Sequence, residues 1–316
     1  MSEKKIIAVM GATGAQGGGL VRAILNDKEG PFAVRALTRN VNSDKARELA
    51  ELGAEVVFAD LEDQKSLEDA FAGAYGAYCV TFFWAHFSPE KEKAGARAMA
   101  AAVKTAGVKH VIWSTLEDTR KFIPLTDNRM PTLLGEYKVP HFDAKEESND
   151  FFTAAGVPVT FLYTAYYWDN MIYFGTGPQK GPDGNLYITM PMGDKRLPGI
   201  ASEDIGKCAY GIFKQGPELI GKKVYIAGEH LTGTQLAASL SKALGKEVRY
   251  NDVDPNVYRG FGFPGADEMG NMFQFKRDFH EYYVGIRDLN YARKLNPELQ
   301  TFDQWLVKNA AKIPVS

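Results

Sequence analysis

Charge of one sign is the first thing this chain lacks. Its 37 lysines and arginines stand against 39 aspartates and glutamates, a formal charge of −2. Bulk attraction to nucleic acid or to an anionic membrane surface is thereby excluded, and no basic recognition helix is present to support a DNA-binding repressor. Cysteine is nearly absent: Cys79 and Cys208 are the only two, each inside an apolar segment, and they read as buried free thiols rather than a redox pair. The five histidines, His86, His110, His141, His230 and His280, show no metal-ligand spacing, so no metal site is expected. No apolar run approaches the about 18 residues of a membrane span, and the apolar part of "MSEKKIIAVM" is too short for a secretory signal. The expected location is the cytoplasm, with the nucleus also open to it. Low-complexity blocks and repeats are missing too.

What the first half does contain is alternation. Strand-length apolar runs, "KKIIAVM", "FAVRALT", "AEVVFAD", "YGAYCVTFF", "KHVIWST" and "PVTFLYT", are separated by helical-period stretches at 17–26, 43–51, 64–70, 89–106 and 140–155. Ser88-Pro89 is a helix-start signal and Gly107 a stop. Strands apolar on both faces, alternating with helices, predict an α/β fold with a Rossmann-type, doubly wound parallel sheet. From about Tyr166 the rhythm breaks into Gly- and Pro-rich segments. We expect a dinucleotide-binding domain over 1–165, helped by segments returning at about 197–230. A smaller, interleaved C-terminal part over 166–316 would meet a substrate or a partner.

Between the first strand and the first helix lies "GATGAQGGG". Gly11, Gly14 and Gly17 are spaced GxxGxxG. The first glycine suits a tight turn, the second lets backbone approach a pyrophosphate, and the third lets the helix pack close to the sheet. Phosphate then binds the amides and dipole of the helix start. At the end of the second strand an NAD site usually carries an acid for the ribose 2′-hydroxyl. Here Arg39 stands there, with Asn40 and Lys45 nearby. A guanidinium can clamp a 2′-phosphate that an acid would repel, so NADP(H) is the expected cofactor.

Taken together, "GATGAQGGG", "LTRN", "KTAGVKHVIWST", "VPHFDAK", "ASEDIG", "GFPGADEMGNMF" and "TFDQWL" resemble the NmrA-like family of atypical short-chain dehydrogenases/reductases, and within it the NADPH-sensor branch. The resemblance covers nearly the whole chain. It implies that Gly11, Ala12, Thr13, Gly14, Ala15 and Gln16 hold the pyrophosphate and that Arg39 takes the 2′-phosphate. It places Asp60 and Leu61 near the adenine, and Thr81, Phe82, Phe83 and Trp84 along the cofactor. Lys145 would touch the nicotinamide ribose, and Tyr167, Trp168, Asp169 and Asn170 would line the nicotinamide end. The chain departs from that branch at Tyr163, where the branch carries Arg.

A reductase of this fold needs a proton donor, usually Tyr-x-x-x-Lys on one helix face. Lys145 is present, but four residues earlier stands His141. Imidazole titrates near neutrality and can donate a proton; alternatively His141 bonds a loop carbonyl at the helix start. Tyr137, Tyr166 and Tyr167 are further donor candidates or pocket walls, so His141, Lys145 and Tyr167 form the candidate catalytic set. Ser114 and Thr115, ending the fifth strand, could orient a carbonyl or cap the strand.

Two functions remain. One is an NADPH-binding redox sensor with little or no turnover, read by a regulatory protein partner or by homodimerisation; the branch resembled, which lacks the tyrosine, points this way. The other is an NADPH-dependent reductase of a small carbonyl, quinone or enone, which the aromatic run "TAYYWDNMIYF" favours. The long connection 116–139 is either a lid over the nicotinamide or a partner surface. Met269, Met272, Phe273 and Lys276, and later Phe302, Trp305 and Leu306, fall at helical spacing and read as core stripes. In the branch resembled, this region meets protein partners.

Overall fold

The first strand shows why the sheet is covered on both sides. Its side chains alternate across the sheet, with Ile7 and Val9 in one apolar cluster and Ala8 and Met10 in another, all buried. In the computed structural model, which describes residues 3–315, this strand is β1 (Lys5–Met10). Residues 1 and 2 of the leader reading and residue 316 lie outside it. The chain continues through α1 (Ala15–Asn26), β2 (Phe32–Thr38), α2 (Asp44–Glu51), β3 (Glu55–Phe58), α3 (Gln64–Phe71), β4 (Gly76–Cys79), α4 (Pro89–Thr105), β5 (His110–Thr115), α5 (Pro140–Ala154) and β6 (Val159–Tyr163). These follow the expected alternation to within a few residues. The starts are chemically marked: Ser43, Asp63 and Ser88 accept hydrogen bonds from the amides of Ala46, Ser66 and Lys91.

The second half comprises β7 (Tyr166–Tyr167), α6 (Asn170–Tyr173), β8 (Gln179–Lys180), β9 (Leu186–Met190), β10 (Leu197–Ile200), α7 (Ser202–Gln215), β11 (Lys223–Tyr225), β12 (Glu229–Leu231), α8 (Gly233–Leu244), β13 (Val248–Asp252), α9 (Pro255–Arg259), α10 (Ala266–Asp278), α11 (His280–Gly285), α12 (Leu289–Leu295) and α13 (Phe302–Asn309). The main sheet has seven strands in the order β11-β6-β5-β4-β1-β2-β3, with parallel neighbours. The order reverses at β1 and β4, the place where open α/β sheets bind ligands. The β11 strand joins this sheet beside β6. The β10 strand, not anticipated, pairs instead with β7 and β12.

Helices α1 and α7 lie on one face and α3, α4 and α5 on the other. The α1–α7 approach uses glycines that the phosphate-turn reading left idle. A Cβ on Gly19 would sit 2.5 Å from the Glu203 carbonyl oxygen, and one on Gly206 would sit 2.1 Å from the Leu20 amide. Both cysteines are free and buried, and burial pushes their thiols up. No helix of the described residues is long and apolar enough to cross a membrane.

Candidate active site

The turn after β1 is shaped for close backbone approach. Gly11 has φ +66°, a left-handed conformation that a side chain disfavours, and its carbonyl accepts from the Gly14 amide at 2.8 Å. A Cβ on Gly17 would lie 2.4 Å from that same carbonyl oxygen. Gly14 caps α1 without a side chain, so the first-turn amides face outward unscreened. That cradle fits a pyrophosphate. Arg39 leaves β2 exposed, and its guanidinium makes no hydrogen bond or ion pair among the described residues. Asp60 turns inward on its own loop, accepting from the Glu62 amide at 3.0 Å. Leu61 packs toward α4, where a Cβ on Gly95 would meet it at 3.0 Å.

Gln16, in the first turn of α1, also has a role for its side chain. Its Oε1 accepts from the hydroxyls of Tyr78 and, at 2.8 Å, Ser114; its Nε2 donates to the Tyr167 hydroxyl at 2.7 Å. Tyr167 also meets the Thr164 hydroxyl at 3.1 Å. A single amide thus ties the glycine turn to the ends of β4 and β5 and to β7. Burial pushes the Tyr167 phenol up to about 12, opposite to what an activating lysine would do. Ser114 is committed to Gln16, and Thr115 donates to the Lys145 carbonyl at 3.1 Å.

Lys145 does not stand alone. Its ammonium donates to the Thr81 hydroxyl at 2.7 Å and lies 2.8 Å from Glu92 Oε1, and Thr81 also donates to Glu92. Glu92 is fully buried. His141, one turn earlier on α5, is held by Glu268 of α10: Oε1 accepts from the His141 amide and lies 2.6 Å from Nδ1. The loop-carbonyl alternative for His141 is therefore replaced by a carboxylate. Val139, the cap residue of α5, has no capping side chain of its own. Glu268 and Asp143 do that work, Asp143 accepting from the amides of Lys138 and Val139. The other imidazole nitrogen, Nε2, has no partner among the described residues, and the rings of Trp84 and Phe83 lie 4.9 and 5.8 Å from the imidazole.

The remaining candidates separate. Phe82 is exposed, whereas Phe83 turns inward against Trp84. The Trp168 side chain faces away from the cleft, packing on Phe302 and Trp305, because the close passage of Gly199 opens a slot for its indole. Asp169 accepts from the Ser202 amide at 2.8 Å, at the start of α7, and Asn170 opens α6. Tyr137 is drawn off to Lys93 at 3.0 Å, and Tyr166 to Thr176 at 2.6 Å. Neither phenol reaches His141 or Lys145. Tyr163 donates to Glu146 and accepts from Asn149, both on α5.

The connection 116–139 is fastened rather than loose. Asn271 donates to the carbonyls of Pro131 and Lys138, Gln274 to that of Arg129, and Asp143 receives Thr119. Sequence reading missed Glu92 and Glu268. Each carries a signal in retrospect: Glu92 shares a helical stripe with buried Ala96, Met99 and Val103, and Glu268 shares one with buried Met272 and Phe275. An acid on a dry stripe needs a cation or donors.

The NmrA-like family model matches residues 3–306. The chain belongs to the NmrA-like family. Among its relatives is the NmrA-like family domain-containing oxidoreductase cpsB of Aspergillus campestris, 28% identical over 304 residues, covering 90% of this chain and 86% of the relative. An NmrA-like family domain-containing protein of Dictyostelium discoideum is 29% identical over 321 residues, covering 98% of both. Among solved structures, NmrA, a negative transcriptional regulator, has been determined in complex with NADP and with NAD. Each superposes with a TM-score of 0.79 at 25% identity, covering 98% of this chain and 96% of NmrA.

Proposed function

We propose that this NmrA-like protein is an NADP(H)-dependent oxidoreductase in which His141 takes the place of the missing tyrosine. The observation that carries the reading is the Glu268–His141 pair, one helical turn from Lys145. Here Glu92 pairs with the lysine, and Glu268 holds Nδ1, which leaves Nε2 free to give up a proton. When bound, a reduced nicotinamide supplies hydride. The residues of this chain do the rest. The glycine turn and the α1 amides hold the pyrophosphate, Lys145 holds the ribose, Gln16 fixes Tyr167 at the nicotinamide end, and His141 protonates the carbonyl oxygen. The absence of a carboxylate at the end of β2, and the unpaired Arg39, support NADP(H) over NAD(H).

NADPH oxidation against a panel of aldehydes, ketones, enones and quinones tests this. His141→Ala should lower kcat by roughly 10²–10⁴, the worth of general acid catalysis. Glu268→Gln should lower kcat by less and shift its pH profile. Turnover undiminished in His141→Ala overturns the assignment. The regulator reading is favoured by a different observation: none of the site's phenols is activated, and Tyr167 is pushed the wrong way for an acid. Silence across the panel in a protein that still binds NADPH would move the search to a partner protein or a dimer that distinguishes the cofactor-bound form.

A further inference from the structure

Helix α10 carries a second charged side chain inward. Glu268, Met272 and Lys276 are spaced i, i+4, i+8 and share one helix face. Glu268 serves His141. Lys276, two turns on, is buried, and its Nζ makes no hydrogen bond or ion pair among the described residues. Four rings surround it, those of Phe142, Tyr166, Phe273 and Tyr283, with centroids 5.5–5.9 Å away. None lies as close as Arg287 lies on Tyr283, where the guanidinium carbon is 3.7 Å from the centroid. The rings enclose the ammonium without satisfying it.

Two more polar atoms at this place lack a partner. Tyr283 Oη and Glu117 Oε2 are both buried and unbonded among the described residues. Glu117 Oε1 accepts from Arg287 at 2.6 Å, and Arg287 also donates to the Thr164 carbonyl at 2.7 Å. The charges that face Lys276 are thus Arg287 and Glu117. Of the phenols around it, Tyr166 is bonded to Thr176 and Tyr283 is free. Arg287 and Glu117 cancel each other, so a protonated Lys276 is one buried positive charge in excess, beside a hydroxyl with no acceptor. Orphaned buried donors cost free energy, and a ligand that accepts from them recovers it. The cluster borders the proposed reaction site. The Phe142 centroid is 4.7 Å from that of the His141 ring and 5.5 Å from Lys276 Nζ. The hydroxyl of Thr164, the residue that Arg287 holds, meets that of Tyr167 at 3.1 Å.

We infer that Lys276 and Tyr283 form a subsite for a carboxylate. One anionic group accepts from both orphaned donors and balances the excess charge. Glu117 opposes a doubly charged group such as phosphate, so a monoanion fits better. The aromatic walls suit an apolar body behind that carboxylate. The link to turnover rests on the oxidoreductase reading and narrows its substrate to an oxo acid. Carboxylate and carbonyl stand at opposite ends of it, since a phenyl ring, that of Phe142, is the neighbour that Lys276 and His141 have in common. The carbonyl carbon accepts hydride from the reduced dinucleotide while its oxygen takes the His141 Nε2 proton. The C=O π bond gives way to new C–H and O–H bonds, solvent restores the imidazole proton, and the carboxylate is unchanged.

Binding is measured first, by calorimetry in protein saturated with NADP⁺, with benzoate and with benzamide, its uncharged isostere. Benzoate should bind at least tenfold tighter. Burial and the Arg287 charge hold the Lys276 pKa at about 7, so at pH 8 the amine is mostly neutral and the anion should draw a proton onto it. Titrations in buffers of different ionisation heat should show a net uptake of roughly half to one proton. Lys276→Met should remove the uptake and weaken benzoate about tenfold, whereas Tyr283→Phe should weaken it several-fold and keep the uptake. NADPH affinity, measured on each variant, reports whether the cleft has kept its shape. Benzoate bound no tighter than benzamide, or uptake that persists in Lys276→Met, overturns the inference. Turnover is read separately, as NADPH oxidation with 4-formylbenzoate and with its methyl ester. The acid should be preferred at least tenfold in kcat/KM, and Lys276→Met should erase the preference. Benzoate bound with proton uptake while neither aldehyde is reduced supports the subsite and sinks the oxidoreductase reading instead.

Discussion

A 2′-phosphate beside Arg39 would meet a guanidinium with no partner among the described residues, so nothing need be broken to bind it. A hydrogen bond to a charged group contributes roughly 1.5–3 kcal/mol, which is roughly 10- to 100-fold in affinity. Arg39→Ala should therefore weaken NADPH binding by that factor and leave NADH binding nearly unchanged. Titrating both nucleotides against both proteins checks this, and wild-type affinities that are equal for the two would refute it. Lys276 makes a different residue-scale prediction. Its ammonium is buried among the rings of Phe142, Tyr166, Phe273 and Tyr283, 5.5–5.9 Å from their centroids. Burial, and then the Arg287 charge, push its pKa down to about 7, against the opposing charge of Glu117, which lies 2.6 Å from Arg287. The unfolded chain, with an ordinary lysine near 10.5, binds the proton that the folded chain sheds between pH 7 and 10.5. Stability should therefore rise with pH across that window, with the penalty fully felt below pH 7. Lys276→Met should be more stable than wild type at pH 7, and the gap should shrink by on the order of 1–3 kcal/mol by pH 9. Denaturant melts of the two proteins at pH 7, 8 and 9 would show it; parallel curves would refute it.

At the scale of elements, the contact between α1 and α7 depends on bare backbone. Gly206→Ala puts a methyl 2.1 Å from the Leu20 amide, so the helices must part. Overpacking of this kind costs about 1–3 kcal/mol or more, and α1 also begins at the glycine turn proposed to hold the pyrophosphate. We expect a lower Tm together with weaker NADPH binding, whereas an equally intrusive change far from α1 should lower Tm alone. The α10 helix is the second element with two duties. It delivers Glu268 to His141 and fastens 116–139 through Asn271 and Gln274. Asn271→Ala removes donors to two carbonyls of that connection and should open it to limited proteolysis near Pro131. Cleavage no faster than in wild type would show that Gln274 and Asp143 suffice.

For the whole molecule, a ligand that binds only the folded chain stabilises it by RT ln(1 + [L]/Kd), about 2.7 kcal/mol at a hundredfold excess over Kd. NADPH should raise Tm accordingly, and Gly17→Val, which would collide with the Gly11 carbonyl, should abolish the shift. A Tm unmoved by millimolar NADPH would reduce the glycine turn to a purely structural feature. The cradle, the Gln16 hub and the His141–Glu268 pair lie along the carboxyl ends of the sheet strands, so ligand binding and global stability are linked through the same buried contacts.

The alternation of apolar runs with helical stretches determined the seven-stranded sheet almost completely, because strand and helix periods are local properties of the chain. The GxxGxxG turn and Arg39 were equally legible, since turn geometry and charge at a strand end need no distant partner. The tertiary structure alone decided which groups would face one another. Glu92 lies 53 positions before Lys145 and Glu268 lies 127 after His141, and no spacing rule links residues so far apart. The Trp168 indole turns away from the cleft only because Gly199 passes close enough to leave it a slot, and the β10 strand beside it pairs outside the main sheet. Local sequence determined the elements and the glycine turn after β1. Burial of charge, which must find its counter-charge wherever the fold brings one, decided which pairs the site holds.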